Sequence, residues 1–516
     1  MQRLKKISYL LVILLIIGLI TGCENNISTK ENTVPIDNSF ISMEDEALIT
    51  YEVPKSLPHI VVDQLGYLPN ENKLVFFYGD MIPENFKVID VSNNNTVYTG
   101  EVIDRGYNEE YKTNIGIGDF TIINAEGEYE IEAPLLGKSY RFSVKNDLYK
   151  EIFNEVCRIY YYNRCGTTIT ENLAGKNAHN ACHTGYSVLR EDMTVHKEVQ
   201  GGWHQDGTGS QNIIAASNVL ANIMISYELY PKAFTDDTNI PESGNEIPDI
   251  LDEIRYEVEW FLKMQDDTSG AVYSGITVND TNNKVVSYVE NPTIDSTYAF
   301  SMALAKFSYI YQKYDKKFAT ICLQAADRAW KYASLNEKDT DSESEYKLPA
   351  AAEIYRASGL KDCKDFLDKY FDEEFTNDVS GIKYYGWFTY LNTTQKVDVD
   401  VCEKLIGIIM KQSEEISTLS RESAFLVPCD LEQLNNTDLL DKMMNMILVD
   451  YVITNHEYDT IIENYLHYFL GRNLLSVSYI DNTGTNNYIN INESMGIMKQ
   501  FENNSKLLFL LSKVNS

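Results

Sequence analysis

From His59 to about Asn146, short apolar or alternating runs recur between turn residues. They are Ile60-Val61-Val62, Leu74-Val75-Phe76-Phe77, Phe86-Lys87-Val88-Ile89, Tyr129-Glu130-Ile131 and Tyr140-Arg141-Phe142. Gly66, Pro69-Asn70, Asn93-Asn94-Asn95 and Gly127 separate them. Several short strands at this spacing predict a β-sandwich of immunoglobulin type over 58–147. From about Leu148 the period changes. Ile250, Ile254, Val258 and Phe261 recur at helical spacing, with Asp249 and Asp252 near the start, where anions suit the helix dipole. Further helices are predicted over 212–230, 296–314, 319–333, 350–357, 399–412, 439–452, 459–470 and 505–514. Asp438 stands where the N-cap of the 439–452 helix is expected. So many helices over 148–516 exceed a four-helix bundle, and a toroid of paired helices is the natural solution.

Two stretches precede the sandwich. Arg3, Lys5 and Lys6 lead into an apolar run over 10–20, too short for a spanning helix, which ends at Ile20-Thr21-Gly22-Cys23. This resembles a bacterial lipoprotein signal. It implies that 1–22 is removed and that lipidated Cys23 tethers an exported body to the outside of a membrane. Residues 23–57 are polar and patternless, and read as a flexible tether.

Composition narrows the partners. Lys plus Arg number 44 against 76 Asp plus Glu in 516 residues, a formal net charge of −32. Phosphate neutralisation needs clustered cations, so nucleic acid is excluded as the expected partner. Beyond Cys23 there are Cys157, Cys165, Cys182, Cys322, Cys363, Cys402 and Cys429, an odd set, so complete disulfide pairing is impossible. Cys157 is expected in the core. Cys165, Cys182, His183 and His204 offer two thiolates and two imidazoles, a donor set suited to closed, structural tetrahedral Zn²⁺; a Cys165–Cys182 disulfide is the alternative. Asp236-Asp237 reads as a solvated loop or a weak calcium ligand. Trp260, in an amphipathic helix, is expected in the core.

Six stretches then fall in order along one family. They are His59-Ile60-Val61-Val62-Asp63-Gln64-Leu65-Gly66-Tyr67, Tyr162-Asn163-Arg164-Cys165-Gly166, Ala181-Cys182-His183, Gly201-Gly202-Trp203-His204, Ile247-Pro248-Asp249-Ile250-Leu251-Asp252-Glu253 and Leu466-His467-Tyr468-Phe469-Leu470-Gly471-Arg472-Asn473. Together they resemble glycoside hydrolase family 9, the endoglucanases with an N-terminal immunoglobulin-like domain. The resemblance implies an (α/α)6 barrel, a cleft for β-1,4-glucan, hydrolysis with inversion, and in some members zinc at the Cys/His positions above.

Inversion needs a carboxylate base on water and a carboxylic acid on the leaving oxygen. The family base lies in a Trp-His-Asp-Ala-Gly-Asp stretch. This chain reads Trp203-His204-Gln205-Asp206-Gly207-Thr208, so both family Asp positions are lost and Asp206 is the expected, shifted base. The acid expected from the resemblance is Glu493 of Asn492-Glu493, with Glu502 as competitor. Trp203 is either a sugar platform or a packing residue. The His-His-Arg stretch that contacts sugars in the family is absent after Asn473, which implies a shortened cleft floor. Two functions follow: an exported β-glucan hydrolase, or a catalytically inactive glycan-binding lipoprotein on the same scaffold.

Overall fold

The computed structural model describes residues 59–205, 209–281, 284–338, 343–373, 381–428, 436–454, 456–490 and 496–516. Cys23, Asp206, Cys429 and Glu493 lie outside them.

The first part is a β-sandwich. Its strands are β1 (Ile60–Val61), β2 (Gly66–Tyr67), β3 (Leu74–Gly79), β4 (Asn85–Asp90), β5 (Asn95–Asn108), β6 (Thr113–Asp119), β7 (Gly127–Ala133), β8 (Gly137–Lys138) and β9 (Phe142–Val144), in the order β1-β3-β6-β5-β4-β7-β9-β2 with β8 on β7. The 14-residue β5 pairs with β4 through Asn95–Glu101 and with β6 through Val102–Asn108, so one strand serves both layers. Alternate side chains meet between the layers: Val75, Phe77, Phe86, Val88, Ile131 and Phe142 are buried together. Neither β5 nor β6 was expected from the sequence. Their Thr, Asn, Asp and Gly content hides the alternation.

The second part contains twelve helices of nine residues or more among the described residues. They are α1 (Lys150–Tyr162), α2 (Ile213–Leu229), α3 (Asp249–Met264), α4 (Ile294–Tyr311), α5 (Lys316–Asn336), α6 (Lys347–Ser358), α7 (Lys361–Glu373), α8 (Lys383–Leu391), α9 (Val399–Glu422), α10 (Asn436–Ile453), α11 (Asp459–Phe469) and α12 (Phe501–Val514). Even-numbered helices are buried on nearly every side: Val219 to Tyr227 in α2, and Ser296 to Ser308 in α4, are covered throughout. Odd-numbered ones are amphipathic, as α3, α7 and α11 show by alternating apolar and charged faces. This is a double ring. Inner neighbours α2, α4, α6 and α8 pack in sequence, α8 reaches α10 through Tyr384 Oη donating to Asn445 O at 3.3 Å, α10 packs on α12, and α12 closes the ring against α2. The toroid expected from the sequence is thus an (α/α)6 barrel. Caps set several starts: Asn212 accepts from Ala215 N, Thr293 and Ser296 form a reciprocal box, and Asp315 and Asp398 cap α5 and α9. Asp438 is not a cap. Helix α10 starts at Asn436, which places Asp438 inside the first turn, where its charge still suits the dipole.

Two of the family-like stretches meet where sandwich and barrel join. His467 Nδ1 lies 2.8 Å from Asp63 Oδ2, both fully buried, and Asp63 also accepts from Leu65 N and Gly66 N. Burial drives the His467 imidazole well below its ordinary range and the Asp63 carboxyl well above its own. Gln64 N donates to Leu470 O, Gln64 Nε2 donates to Ser476 O at 2.7 Å, and Gln64 Oε1 accepts from Asn486 N at 2.8 Å. Gly471, at φ +114°, lies so close to this amide that an added Cβ would stand 2.5 Å from Gln64 Nε2. With Phe76 against Phe425 and Tyr149 Oη on Glu71, the two parts form one body, without a swinging linker.

Candidate functional site

Four of the other stretches converge at the N-terminal end of α2. Arg164 follows α1 and is held by two carboxylates: Glu253 of α3 at 2.8 and 3.0 Å, and Glu242 at 2.9 Å. Cys165 comes next; its N–H donates to Gly202 O and its carbonyl accepts from Tyr256 Oη at 2.6 Å. His204 N donates to Asn163 O at 2.8 Å. The 163–165 and 202–204 segments therefore run side by side, fixed from below by α3.

On this platform the four expected ligands come together. Cys165 Sγ and Cys182 Sγ are 3.8 Å apart, His183 Nδ1 and His204 Nε2 are 3.3 Å apart, and each sulfur lies 3.3 Å from an imidazole nitrogen. A tetrahedron with Zn–S of about 2.3 Å and Zn–N of about 2.0–2.1 Å has edges of about 3.8 Å between sulfurs and about 3.3–3.4 Å between nitrogens. The donors match that figure in kind and in spacing. The sulfurs are too far apart for a disulfide, whose bond is about 2.05 Å. His183 adopts φ +47°, a left-handed conformation uncommon for a non-glycine residue. Contact with the Cys165 thiol, and then with the two histidines, pulls the Cys182 thiol well below its ordinary range, while the same pairing pushes the Cys165 thiol up. Cys157, Cys322 and Cys363 are buried thiols, and Cys402 is a half-buried one.

The loop beyond His204 leads to the expected base. Trp203 is fully buried, its ring against Tyr160 and Phe501 and its backbone N–H donating to Glu257 Oε2 at 2.6 Å. Of the two parts expected for it, sugar platform or packing residue, its burial fits packing. Burial pushes the Glu257 carboxyl well up. Trp260 is core, as expected. Gln205, where the family resemblance puts an Asp, is occupied at both ends of its amide: Nε2 donates to Asn212 O at 3.0 Å and Oε1 accepts from Asn212 N at 2.9 Å. Gln205 is thus a clamp between the loop and the cap of α2. It borders an open pocket of about 260 Å³ with Ser210, Thr277 and Glu290.

That pocket leans on a small sheet absent from the sequence expectations: β10 (Ser187–Leu189), β11 (His196–Lys197), β12 (Gln211–Asn212), β13 (Gly275–Thr281) and β14 (Lys284–Val289), in the order β11-β10-β14-β13-β12. Asp236 gives both oxygens to the backbone N–H groups of Gly244 and Glu246, and Thr235 donates to Asp237. These are bonds of a self-capped loop, and they lend the calcium expectation no support.

The family profile described as Glycosyl hydrolase family 9 matches residues 149–507, and that of the cellulase N-terminal ig-like domain matches residues 55–138. The chain belongs to glycosyl hydrolase family 9. Among curated relatives, Endoglucanase D of Acetivibrio thermocellus is 24% identical over 468 residues, covering 83% of this chain and 73% of its own length. A cellodextrinase of Butyrivibrio fibrisolvens is 24% identical over 475 residues, covering 82% and 85%. A xyloglucan-specific endo-β-1,4-glucanase of Bacteroides ovatus is 23% identical over 480 residues, covering 83% and 81%. A metagenome-derived family 9 endoglucanase shares the fold at TM-score 0.80 and 23% identity, covering 89% of this chain and 99% of that one. A Zn-binding triple mutant of another family 9 endoglucanase aligns at TM-score 0.75 and 19% identity, covering 87% and 99%.

Proposed function

We infer that this is an exported, lipid-anchored family 9 glycoside hydrolase that acts on β-1,4-glucan or a related polysaccharide. Asp206 is the base that activates water and Glu493 the acid that protonates the leaving oxygen, with inversion at the anomeric carbon. The observation that carries the reading is the four-ligand cluster at the root of the 203–206 loop. A closed Cys₂His₂ zinc site has no open position for water, so its part is to hold that loop at the N-terminal end of α2. Cys165, Cys182, His183 and His204 are the residues that hold the ion. Their neighbours Arg164, Tyr256 and Glu253 fix the ligand-bearing backbone from below.

A second reading, non-catalytic glycan capture, is favoured by the Gln205 clamp, which replaces a family carboxylate with a structural amide. Two variants separate the readings. With Asp206 as base, Asp206→Asn loses hydrolysis by about 10²–10⁴-fold while glycan binding stays. Glu493→Gln loses as much on poor leaving groups and less on aryl glycosides. A wild-type chain that binds β-glucan oligosaccharides and hydrolyses none supports capture. An active chain whose Asp206→Asn variant keeps its rate refutes the base assignment.

A further inference from the structure

At the end of the ring where α10 and α12 finish, the turn into α11 gathers four charged or titratable side chains. Asp450 lies in the last turn of α10, His456 in the connection, Asp459 at the start of α11 and Lys513 in the last turn of α12. Thr454 and His456 take left-handed φ, +50° and +56°, which folds the short connection back on the end of α10. His456 Nδ1 stands 3.3 Å from Asp459 Oδ2 and 3.8 Å from Asp450 Oδ2. Lys513 Nζ holds the other side, 2.6 Å from Asp459 Oδ1 and 3.1 Å from Asp450 Oδ2. The two oxygens of Asp459 are thus divided between an ammonium and an imidazole. Asp450 differs. Its side chain is 3% exposed, yet its Oδ1 accepts no hydrogen bond, although buried carboxylate oxygens are normally satisfied.

Two carboxylates against one ammonium leave an uncompensated negative charge, and the imidazole adds a nitrogen lone pair beside it. One nitrogen and two carboxylate oxygens form a donor set for a divalent first-row ion. The three residues can each offer a ligand atom within 4.8 Å of the others. Ligands at about 2.0–2.2 Å from an ion lie roughly 3.0–3.5 Å apart, and the 3.3 Å between His456 and Asp459 meets that figure. The 3.8 Å to Asp450 Oδ2 is wider, and a small rotation of that carboxylate, whose second oxygen has no hydrogen bond to lose, closes it. With three protein ligands the site keeps positions for water, unlike the closed Cys₂His₂ centre. Lys513 already neutralises one of the two carboxylates, so the ion is held more loosely than zinc between thiolates. It comes off on dialysis and stands outside the count of tightly bound zinc.

We propose that Asp450, His456 and Asp459 form a second metal site, which takes a divalent first-row ion and pins the α10–α11 connection to the end of the barrel. The proposal stands apart from the catalytic and glycan-capture readings. Mn²⁺ added to the full chain tests it, because a thiolate centre suits softer ions and free Mn²⁺ reports its own concentration by electron paramagnetic resonance. The titration is run at about 0.15 M salt, which screens loose association with an acidic surface. Wild type should take up about one Mn²⁺. Asp450 is buried, so the variants are placed at the exposed His456 and the partly exposed Asp459. His456→Gln and Asp459→Asn should each weaken uptake by at least about tenfold. His196→Gln, which removes an exposed imidazole on β11, should leave it unchanged. Lys513→Gln removes the competing ammonium and should strengthen uptake by about tenfold. No uptake by wild type, or wild-type uptake in both His456→Gln and Asp459→Asn, overturns the site. Unchanged or weaker uptake in Lys513→Gln overturns the sharing of the carboxylates between ammonium and ion.

Discussion

Replacing Cys182 by Ser tests the metal centre where its geometry is most demanding. The wild-type donors sit on tetrahedral edges of 3.8 Å between sulfurs and 3.3 Å between nitrogens, the spacing that a bound zinc ion would require. Serine keeps the size and removes the thiolate, leaving a hard hydroxyl that is a poor zinc donor. Ion that binds only the folded chain stabilises it by about 2.7 kcal/mol at a hundredfold excess over its dissociation constant, and by about 1.4 kcal/mol for each further tenfold. At roughly 2–4 °C per kcal/mol for a large domain, wild type should melt several degrees higher with zinc than after chelation. The variant should show little difference between the two. Metal analysis gives about one zinc per wild-type chain and far less per variant chain. Chelation should also expose the 165–205 stretch to limited proteolysis, because the cluster ties His183 and His204 to Cys165 across that span. A wild-type chain purified without zinc, one whose melting ignores chelators, or a Cys165–Cys182 disulfide found by mass spectrometry would refute the reasoning.

Other perturbations address separate parts of the molecule. Burial raises Glu71 from 4.5 to about 7 at the junction of sandwich and barrel. The folded chain therefore binds a proton there that the unfolded chain has released, so this contribution to stability is complete below about pH 4.5 and is lost as pH rises through 7. Thermal midpoints should fall over that window and fall less in Glu71→Gln. Arg164→Met leaves Glu253 buried without its guanidinium and should destabilise the chain by about 3–5 kcal/mol in denaturant unfolding, a loss that Arg164→Lys recovers only in part. With Asp206 as base, Gln205→Asp leaves kcat essentially unchanged and lowers the melting point slightly, because Asn212 O loses its donor. A gain of about 100-fold or more in kcat would move the base to position 205.

Periodicity revealed the two-part architecture and most of the inner helices, since an apolar run of period 3.6 leaves few alternatives. It missed α1, and it missed α7, whose face is crowded with Lys and Asp, and α8, whose Tyr-Tyr-Gly-Trp-Phe run looks like a strand and is helical only because the barrel surrounds it. The grouping of Cys165, Cys182, His183 and His204 was legible because Cys and His are scarce and chemically distinctive. The pairing of Lys506 with both Asp441 and Glu502 was not. Glu502 alone drew notice, as a competitor for the acid, because its distance from Asn492-Glu493 is a matter of sequence. That it shares an ammonium with a residue of α10 is a matter of which helix faces meet, and no local pattern encodes that. The same holds for His467 and Asp63, which lie in separate family stretches and turn out to be one buried contact.

The closure of the inner ring by α12 sets an order of events during biosynthesis. Asn222 in α2 donates to Ser505, and Asn504 donates to Val156 O in α1, contacts spanning 283 and 348 residues of chain. A nascent chain emerging N-terminus first has the sandwich strands and the cluster-bearing segments in hand long before α12 exists, yet α2 has no partner on one flank until then. Closing so long a loop is entropically expensive and late. Until it happens, the apolar flank of α2 is open to aggregation. Protection of the α12 backbone amides in a pulse-labelled hydrogen-exchange folding experiment would therefore time the last step of barrel assembly.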